Sequence, residues 1–263
     1  MKKSSRVLDK QESSFFHILN KQVLLLFGLI LIICGFLDFY SEKSNLTTIY
    51  IITTFITAII IFFNIPKLKE IKIKQVIRKE GPKNHFVKQG TPTMGGIFFI
   101  PIGIIISNIL YFRNYDYKII LTLSVLIIFF MFIGLIDDLL SLKKKFNTGL
   151  TSNQKFTLQL FVSMIYIIFC VSNNYINHTI EIGNKMIDIG NLIYPLGIFV
   201  ILAESNSTNL TDGLDGLLSG CSALIFTGLA INILINNQSN ENTLAPLCIV
   251  MAGTCMGFLF LNQ

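Results

Sequence analysis

Charged side chains are scarce in this sequence of 263 residues, and tryptophan is absent. Only 14% of the residues are charged and 52% are hydrophobic, whereas a soluble domain carries roughly 25% charged residues. The low charge excludes an ordinary soluble protein. The apolar runs also lack the alternation of apolar and polar residues that a membrane β-barrel requires, which excludes that class.

Cysteine is infrequent, and no pair has C-x-x-C spacing. The five cysteines lie inside apolar runs, at Cys34, Cys170, Cys221, Cys248 and Cys255. This placement is typical of small buried hydrophobic residues rather than of metal or redox sites. An A-x-A-like cleavage site is also missing after the first apolar run, which begins near Val23, so we expect that run to remain as a membrane span.

Long apolar runs are what the sequence has in abundance. A helix crosses a bilayer with about 20 apolar residues, and in lipid a helix satisfies its own backbone groups. We therefore predict an all-α, polytopic helical membrane protein forming a single domain over residues 1–263. About eight transmembrane segments are expected, of which the sixth is short for a crossing: 23–40, 46–66, 95–112, 119–139, 155–172, 191–204, 214–236 and 244–261.

Basic residues predict the orientation of these spans. Of the 21 Lys and Arg residues, 17 fall in the N-terminal segment and in the 67–94 and 140–155 loops. Cytoplasmic loops carry such an excess, so the N-terminus and these loops are predicted to face the cytoplasm. The net charge of +6 is then a topology signal. Nucleic acid is not an expected partner, because no basic stretch is interleaved with stacking aromatic residues.

Two adjacent carboxylates close an apolar run in FIGLIDDLLS, at Asp137 and Asp138. Ionisable residues inside membrane segments are expensive and usually functional. Adjacent helical residues point about 100° apart, so at most one of the pair can be aimed into the helix bundle. The alternative is a solvated pair at the interface, neutralised by Lys143 to Lys145.

A second acidic stretch is SNSTNLTDGLDGLLSG, from Ser205 to Gly220. Asn209, Asp212 and Asp215 are spaced by three, so on a helix they would share one face. Helix capping is the alternative for these residues, because Ser, Thr, Asn and Asp are favourable at a helix start.

Two further polar segments lie on the same predicted face. HFVKQGTPTMGG carries Lys88 and Thr91 and opens the third span at Gly95–Gly96. TGLTSNQK ends the 140–155 loop at Lys155. A capped helix entry and an ordinary basic loop are the alternatives.

Together these segments gather acids, an amide and lysines at one membrane surface. Carboxylates suit a hard cation such as Mg²⁺, and lysines complement phosphate, whose transfer depends on positioning and electrostatics. The residues predict Mg²⁺-dependent phosphoryl or glycosyl-phosphoryl transfer at the inner leaflet.

These motifs, in this order, resemble those of the polyprenyl-phosphate sugar-1-phosphate transferases. The chain is most similar to the branch that loads phospho-MurNAc-pentapeptide onto a lipid, and the resemblance runs from about Lys74 to the end. It implies transfer from UDP-MurNAc-pentapeptide to undecaprenyl phosphate with Mg²⁺, giving lipid I and UMP in peptidoglycan synthesis. It also implies a bacterial inner-membrane enzyme whose active site faces the cytoplasm, and it leaves room for a homodimer.

Carried over residue by residue, the resemblance assigns roles to eight side chains. Catalytic roles fall on Asp137, Asp138 and Asp215. Substrate-binding roles fall on Lys88, Thr91, Lys155, Asn209 and Asp212. The metal ligands stay unknown, because the family's Mg²⁺-binding Asp belongs to a motif expected beyond Gln263; Asp137 and Asp138 are further candidates.

The sequence departs from the family pattern at several places. Ser141 and Thr148 stand where the family usually has lysines, and residues 23–40 look like an extra N-terminal span. We expect the sequence to be incomplete at its C-terminal end, and the 263-residue chain alone to be inactive. The alternatives are a sister transferase that uses UDP-GlcNAc, or a transporter or inactive regulatory membrane protein.

Overall fold

The computed structural model describes residues 21–41, 45–70, 95–112, 117–144, 149–183, 185–212, 216–236 and 244–261. Within these ranges it contains eight α-helices and one short hairpin. The helices are α1 (Lys21–Ser41), α2 (Leu46–Glu70), α3 (Gly96–Tyr111), α4 (Tyr117–Lys144), α5 (Ser152–Ser172), α6 (Ile193–Thr211), α7 (Leu217–Asn236) and α8 (Leu244–Leu259). All eight predicted segments coincide with helices.

Five of the described helices are long and apolar enough to cross a membrane: α1, α2, α4, α5 and α7. Two shorter helices, α3 and α8, are also apolar. The protein is therefore a polytopic helical membrane protein, as predicted. The exact number of crossings and the side on which the N-terminus lies stay predictions.

The sequence did not reveal the small hairpin between α5 and α6. Strands β1 (Thr179–Ile182) and β2 (Lys185–Asp188) pair antiparallel, with Thr179 opposite Asp188 and Ile182 opposite Lys185. Gly183 has a φ of +63° in the turn, a conformation that glycine adopts without steric cost.

The chain divides into two compact units. The first comprises 1–62 and 219–263, and the second comprises 63–218. This division does not test whether residues 1–263 form a single domain, which stays a prediction. The same holds for the assignment of residues 23–40 as an extra span.

In the first unit, α8 packs closely on α2 through glycine. A Cβ at Gly257 would lie 2.5 Å from the Thr54 carbonyl oxygen and 2.7 Å from Thr57 Cβ, and one at Gly253 would overlap the Thr53 hydroxyl. Small residues at this spacing let two helix backbones approach in lipid. The start of α2 is capped by Asp38, which accepts hydrogen bonds from the Leu46 and Thr47 N–H groups at 2.7 and 2.9 Å.

In the second unit, consecutive helices run antiparallel. Asn108 of α3 donates a hydrogen bond to Ser124 of α4 at 2.8 Å. Near the hairpin, Ile167 and Val171 of α5 and Ile193 of α6 form a buried aliphatic cluster. This arrangement brings the end of α4, the start of α5 and the end of α6 to the opposite end of the unit.

Candidate functional site

Asp137 lies on the last part of α4 and is engaged at both carboxylate oxygens. Oδ1 accepts a hydrogen bond from the Leu150 N–H at 2.8 Å, and Oδ2 accepts one from Lys155 Nζ at 3.1 Å. The Asp137 side chain is 26% exposed and that of Lys155 is 18% exposed. A partly buried carboxylate is thus matched by a cation and a backbone donor, which offsets the cost of removing its charge from water.

Lys155 lies in the first turn of α5 and joins three elements. Besides its ion pair with Asp137, its ammonium donates a hydrogen bond to Asn209 Oδ1 of α6 at 3.4 Å. An ammonium has three N–H donors, and the third has no partner among the described residues. An ammonium donor of this kind is suited to an anionic oxygen such as that of a phosphate.

The segment before Lys155 is ordered by local hydrogen bonds. Thr151 is the N-cap of α5, and its hydroxyl accepts from the Gln154 N–H while the Gln154 side chain accepts from the Thr151 N–H. This reciprocal capping box fixes the start of the helix. Lys155 is four residues after the N-cap. The capping box therefore also fixes the position of the Lys155 backbone.

A buried polar cluster lies one turn deeper between α5 and α6. Gln159, 2% exposed, donates to the Ser205 hydroxyl at 2.9 Å and accepts from Asn206 Nδ2 at 3.1 Å. Gln159 follows Lys155 by four residues and Asn206 precedes Asn209 by three, so these residues share helix faces with the site. The cluster sets the register in which Lys155 meets Asn209.

The predicted helical ladder of Asn209, Asp212 and Asp215 is wrong. Helix α6 ends at Thr211, and Asp212 occupies its C-cap with φ −72° and ψ 42°. Gly216 then has a φ of +75°, and α7 begins only at Leu217. The backbone leaves the helical conformation at Asp212, so Asn209 lies in the last turn of α6 and Asp212 closes it. The polar stretch from Ser205 to Thr211 likewise closes α6 and does not cap α7.

The other predicted site residues have different outcomes. Asp138 follows Asp137 on α4, is partly exposed, and points about 100° away from it. Asp212 is exposed at the end of α6. Lys88, Thr91 and Asp215 lie outside the described residues, as do Lys145 and Thr148. The structure therefore brings together Asp137, Lys155 and Asn209.

Three contributors were missed from the sequence: Gly149, the Leu150 N–H and Gln159. The signal for Gln159 was present, because a Gln four residues after a lysine inside an apolar helix is costly to bury without a partner. Ser141, where the family usually has a lysine, donates its hydroxyl to the Asp137 carbonyl oxygen at 3.0 Å.

Mg²⁺ has no complete site among these residues. In the described part of the chain, no group of three or more His, Cys, Asp or Glu is close enough to hold a metal ion. Both carboxylate oxygens of Asp137 already accept hydrogen bonds, and one of these comes from the Lys155 ammonium. Asp137 is therefore poorly placed to be the main ligand of a metal ion. The described residues do not by themselves form a site for this ion.

Sequence comparisons place this geometry in context. The profile of glycosyl transferase family 4 matches residues 120–263, and a phospho-N-acetylmuramoyl-pentapeptide-transferase signature matches residues 88–100. The chain is 71% identical over all its 263 residues to the phospho-N-acetylmuramoyl-pentapeptide-transferase of Prochlorococcus marinus strain NATL2A, and covers 71% of that protein.

Two further relatives carry the same name. The protein of Prochlorococcus marinus strain SARG is 44% identical over 247 residues, which are 93% of this chain and 66% of the relative. That of Synechococcus sp. strain CC9311 is 40% identical over 227 residues, 86% of this chain and 61% of the relative. The matched part is thus between 61% and 71% of these proteins.

Proposed function

Since the chain belongs to the phospho-N-acetylmuramoyl-pentapeptide-transferase family, within glycosyl transferase family 4, we propose that it takes part in lipid I synthesis. The reaction transfers phospho-MurNAc-pentapeptide from UDP-MurNAc-pentapeptide to undecaprenyl phosphate. An oxygen of the lipid phosphate forms a bond to the phosphorus that carries the sugar, and UMP leaves with the bridging oxygen. A site for this reaction must hold several phosphate charges at a membrane surface.

The observation that carries the proposal is the Lys155 ammonium, held between Asp137 and Asn209 with one N–H unused by the described residues. A lysine held in one position by two acceptors loses little entropy when it binds phosphate. Its field also stabilises the negative charge that moves to the leaving UMP. Lys155 and Asn209 therefore serve as substrate-binding residues in the proposal.

The remaining assignments rest on the family motifs. Lys88, Thr91 and Asp212 are proposed to bind substrate, and Asp137, Asp138 and Asp215 to act at the reacting phosphates. Because Asp138 and Asp137 are adjacent on α4 and point about 100° apart, the proposal assigns the two carboxylates separate tasks. A homodimer also stays a prediction.

We further propose that this end of the second unit faces the cytoplasm of the bacterium. Helices α5 and α6 separate the site from the hairpin, which carries Lys185. Lys155, in the first turn of α5, follows a segment that carries Lys143, Lys144 and Lys145, and lysine-rich segments between spans favour the cytoplasmic side. The donor is water-soluble, so this orientation gives it access to the site.

Release of UMP from UDP-MurNAc-pentapeptide in the presence of undecaprenyl phosphate and Mg²⁺ tests the proposal. The assay uses the 263-residue chain in lipid nanodiscs, and beside it the chain completed with the part of the NATL2A relative that lies outside the match. We expect the completed chain to release UMP and to stop when EDTA removes Mg²⁺, which the family requires. UDP-GlcNAc is the control donor.

Two results would contradict the proposal. Equal or faster turnover of UDP-GlcNAc would assign the chain to the sister transferases. Absence of UMP release from the folded, completed chain with either donor would favour a membrane protein without transferase activity.

A further inference from the structure

The loop that enters α5 lies directly on the carboxylate of Asp137. Gly149 is buried, and a Cβ placed on it would overlap Asp137 Oδ1. The same Cβ would lie 2.5 Å from the Asp137 carbonyl oxygen and 2.7 Å from Ser141 Oγ, whereas real Cβ atoms essentially never approach within 3.0 Å of another heavy atom. A larger residue at position 149 must therefore move the loop or helix α4.

Glycine is needed at position 149 because there is no room for a Cβ atom, and not because of its backbone conformation. The glycines with positive φ among the described residues are Gly183, Gly190 and Gly216, so the backbone of Gly149 is one that other residues adopt. Two of the three atoms in its way belong to Asp137, and one of these is backbone, which cannot rotate aside. The glycine is thus matched to Asp137 itself.

The close approach determines how the carboxylate is oriented. It brings the N–H of Leu150 to 2.8 Å from Oδ1, which leaves Oδ2 to hold Lys155 at 3.1 Å. If the loop moves away, the first hydrogen bond weakens steeply with distance and angle. The carboxylate then gains rotational freedom, and the ammonium loses a defined acceptor.

We propose that Gly149 is a positioning residue for phosphoryl transfer, acting through Asp137 on Lys155. By allowing the loop onto α4, it lets the Leu150 N–H hold one carboxylate oxygen so that the other aims the ammonium at the substrate phosphate. The proposal rests on the function proposed above and adds an uncharged residue to its machinery.

Amide exchange tests the geometry independently of turnover. Deuterium uptake at the Leu150 amide is measured on the 263-residue chain in nanodiscs by fragment-resolved mass spectrometry. We expect uptake to be about tenfold faster in Gly149→Ala and in Asp137→Ala, as for the loss of one hydrogen bond. Gly134→Ala is the matched control, because a Cβ on that glycine of α4 meets nothing within 4 Å; its uptake should equal that of the parent chain.

Kinetics of the completed chain test the role in the reaction. We expect Gly149→Ala to lower kcat by about 10- to 100-fold, the cost of a misplaced catalytic group, with KM for UDP-MurNAc-pentapeptide changed less than twofold. Gly134→Ala should leave both constants unchanged. The thermal midpoint of each variant is measured alongside, so that a lower folded fraction is not mistaken for a lower kcat.

Two outcomes would overturn the proposal. Unchanged uptake at Leu150 in Gly149→Ala would show that the glycine does not hold the loop on Asp137. Faster uptake with an unchanged kcat of the folded fraction would show that the contact is structural only. If the parent completed chain releases no UMP, the proposed function fails, and the exchange result still decides whether Gly149 orders the loop on Asp137.

Discussion

Helices α5 and α6 are held together differently at their two ends. At the hairpin end, Ile167, Val171 and Ile193 are packed into an aliphatic cluster, and Gly197 fits against Ile167, whose Cδ1 would lie 2.7 Å from a Cβ at that glycine. At the other end, the contacts are polar and involve Lys155, Gln159 and the amides of α6.

The contrast between the aliphatic and the polar end distinguishes contacts that stabilise the α5–α6 pair from contacts that serve the proposed reaction. Interhelical hydrogen bonds in membrane proteins contribute on average about 0.6 kcal/mol, and a buried ion pair is often replaceable by apolar residues without loss of stability. The aliphatic end shows that this pair can pack without charge. The charged end is therefore better explained by the proposed binding of phosphate than by stability.

Lys155→Ala should produce the largest contrast between the two ends. We expect kcat/KM of the completed chain to fall by about 100- to 1,000-fold, the usual effect of removing one group that stabilises developing charge. The matched control is Lys185→Ala, which removes an exposed lysine from the hairpin and should leave UMP release unchanged. Equal losses in the two variants would refute the assignment of Lys155.

Gln159→Leu should give the next largest effect, on both stability and turnover. It removes the partner of Ser205 and one partner of Asn206, at a cost of about 1–2 kcal/mol, and it loosens the register of Lys155 with Asn209. A lower thermal midpoint together with a lower kcat is expected.

The control for this variant is Ser163→Ala, one turn further along α5. The Ser163 hydroxyl donates only to the Gln159 carbonyl oxygen of its own helix, at 2.7 Å. Loss of the Ser163 hydroxyl should change neither the thermal midpoint nor kcat. If Gln159→Leu lowered the midpoint but left kcat of the folded fraction intact, the buried cluster would be a packing device alone.

Ile167→Val should have the smallest effect, confined to stability. Loss of one methylene from the aliphatic cluster should cost about 0.5–1.5 kcal/mol and lower the thermal midpoint slightly. Because the cluster lies at the far end of the pair, kcat of the completed chain should not change. A drop in kcat without a drop in the midpoint would show that the two ends are coupled.

Most of the helical fold was predictable because lipid restricts the choices so strongly. Each of the eight predicted segments coincides with a helix, including α6, which extends beyond the predicted 191–204 to Thr211 through polar last turns. The β1–β2 hairpin was not predicted: its strands are only four residues long, the shortest length at which alternation indicates a strand, and KMID of β2 does not alternate.

The candidate site was predictable in its chemistry and less so in its geometry. Asp137 and Asn209 were singled out by their charge or polarity beside apolar runs and Lys155 by the family resemblance, and Lys155 contacts both of the others. The helical ladder failed at Asp212, because spacing by three implies a shared face only while the helix persists, and α6 ends at Thr211. Nothing in the local sequence marks Gly149 as different from other loop glycines.

The sequence by itself determined that the chain is a polytopic helical membrane protein and that acids and lysines collect where its apolar segments end. Both follow from the cost of exposing backbone or charge to lipid, which depends on composition and length alone. Tertiary structure decided that Asp137 pairs with Lys155, 18 residues away, and Lys155 with Asn209, 54 residues away. Such pairs depend on the rotation and register of packed helices, and on a glycine small enough for the loop to rest against α4.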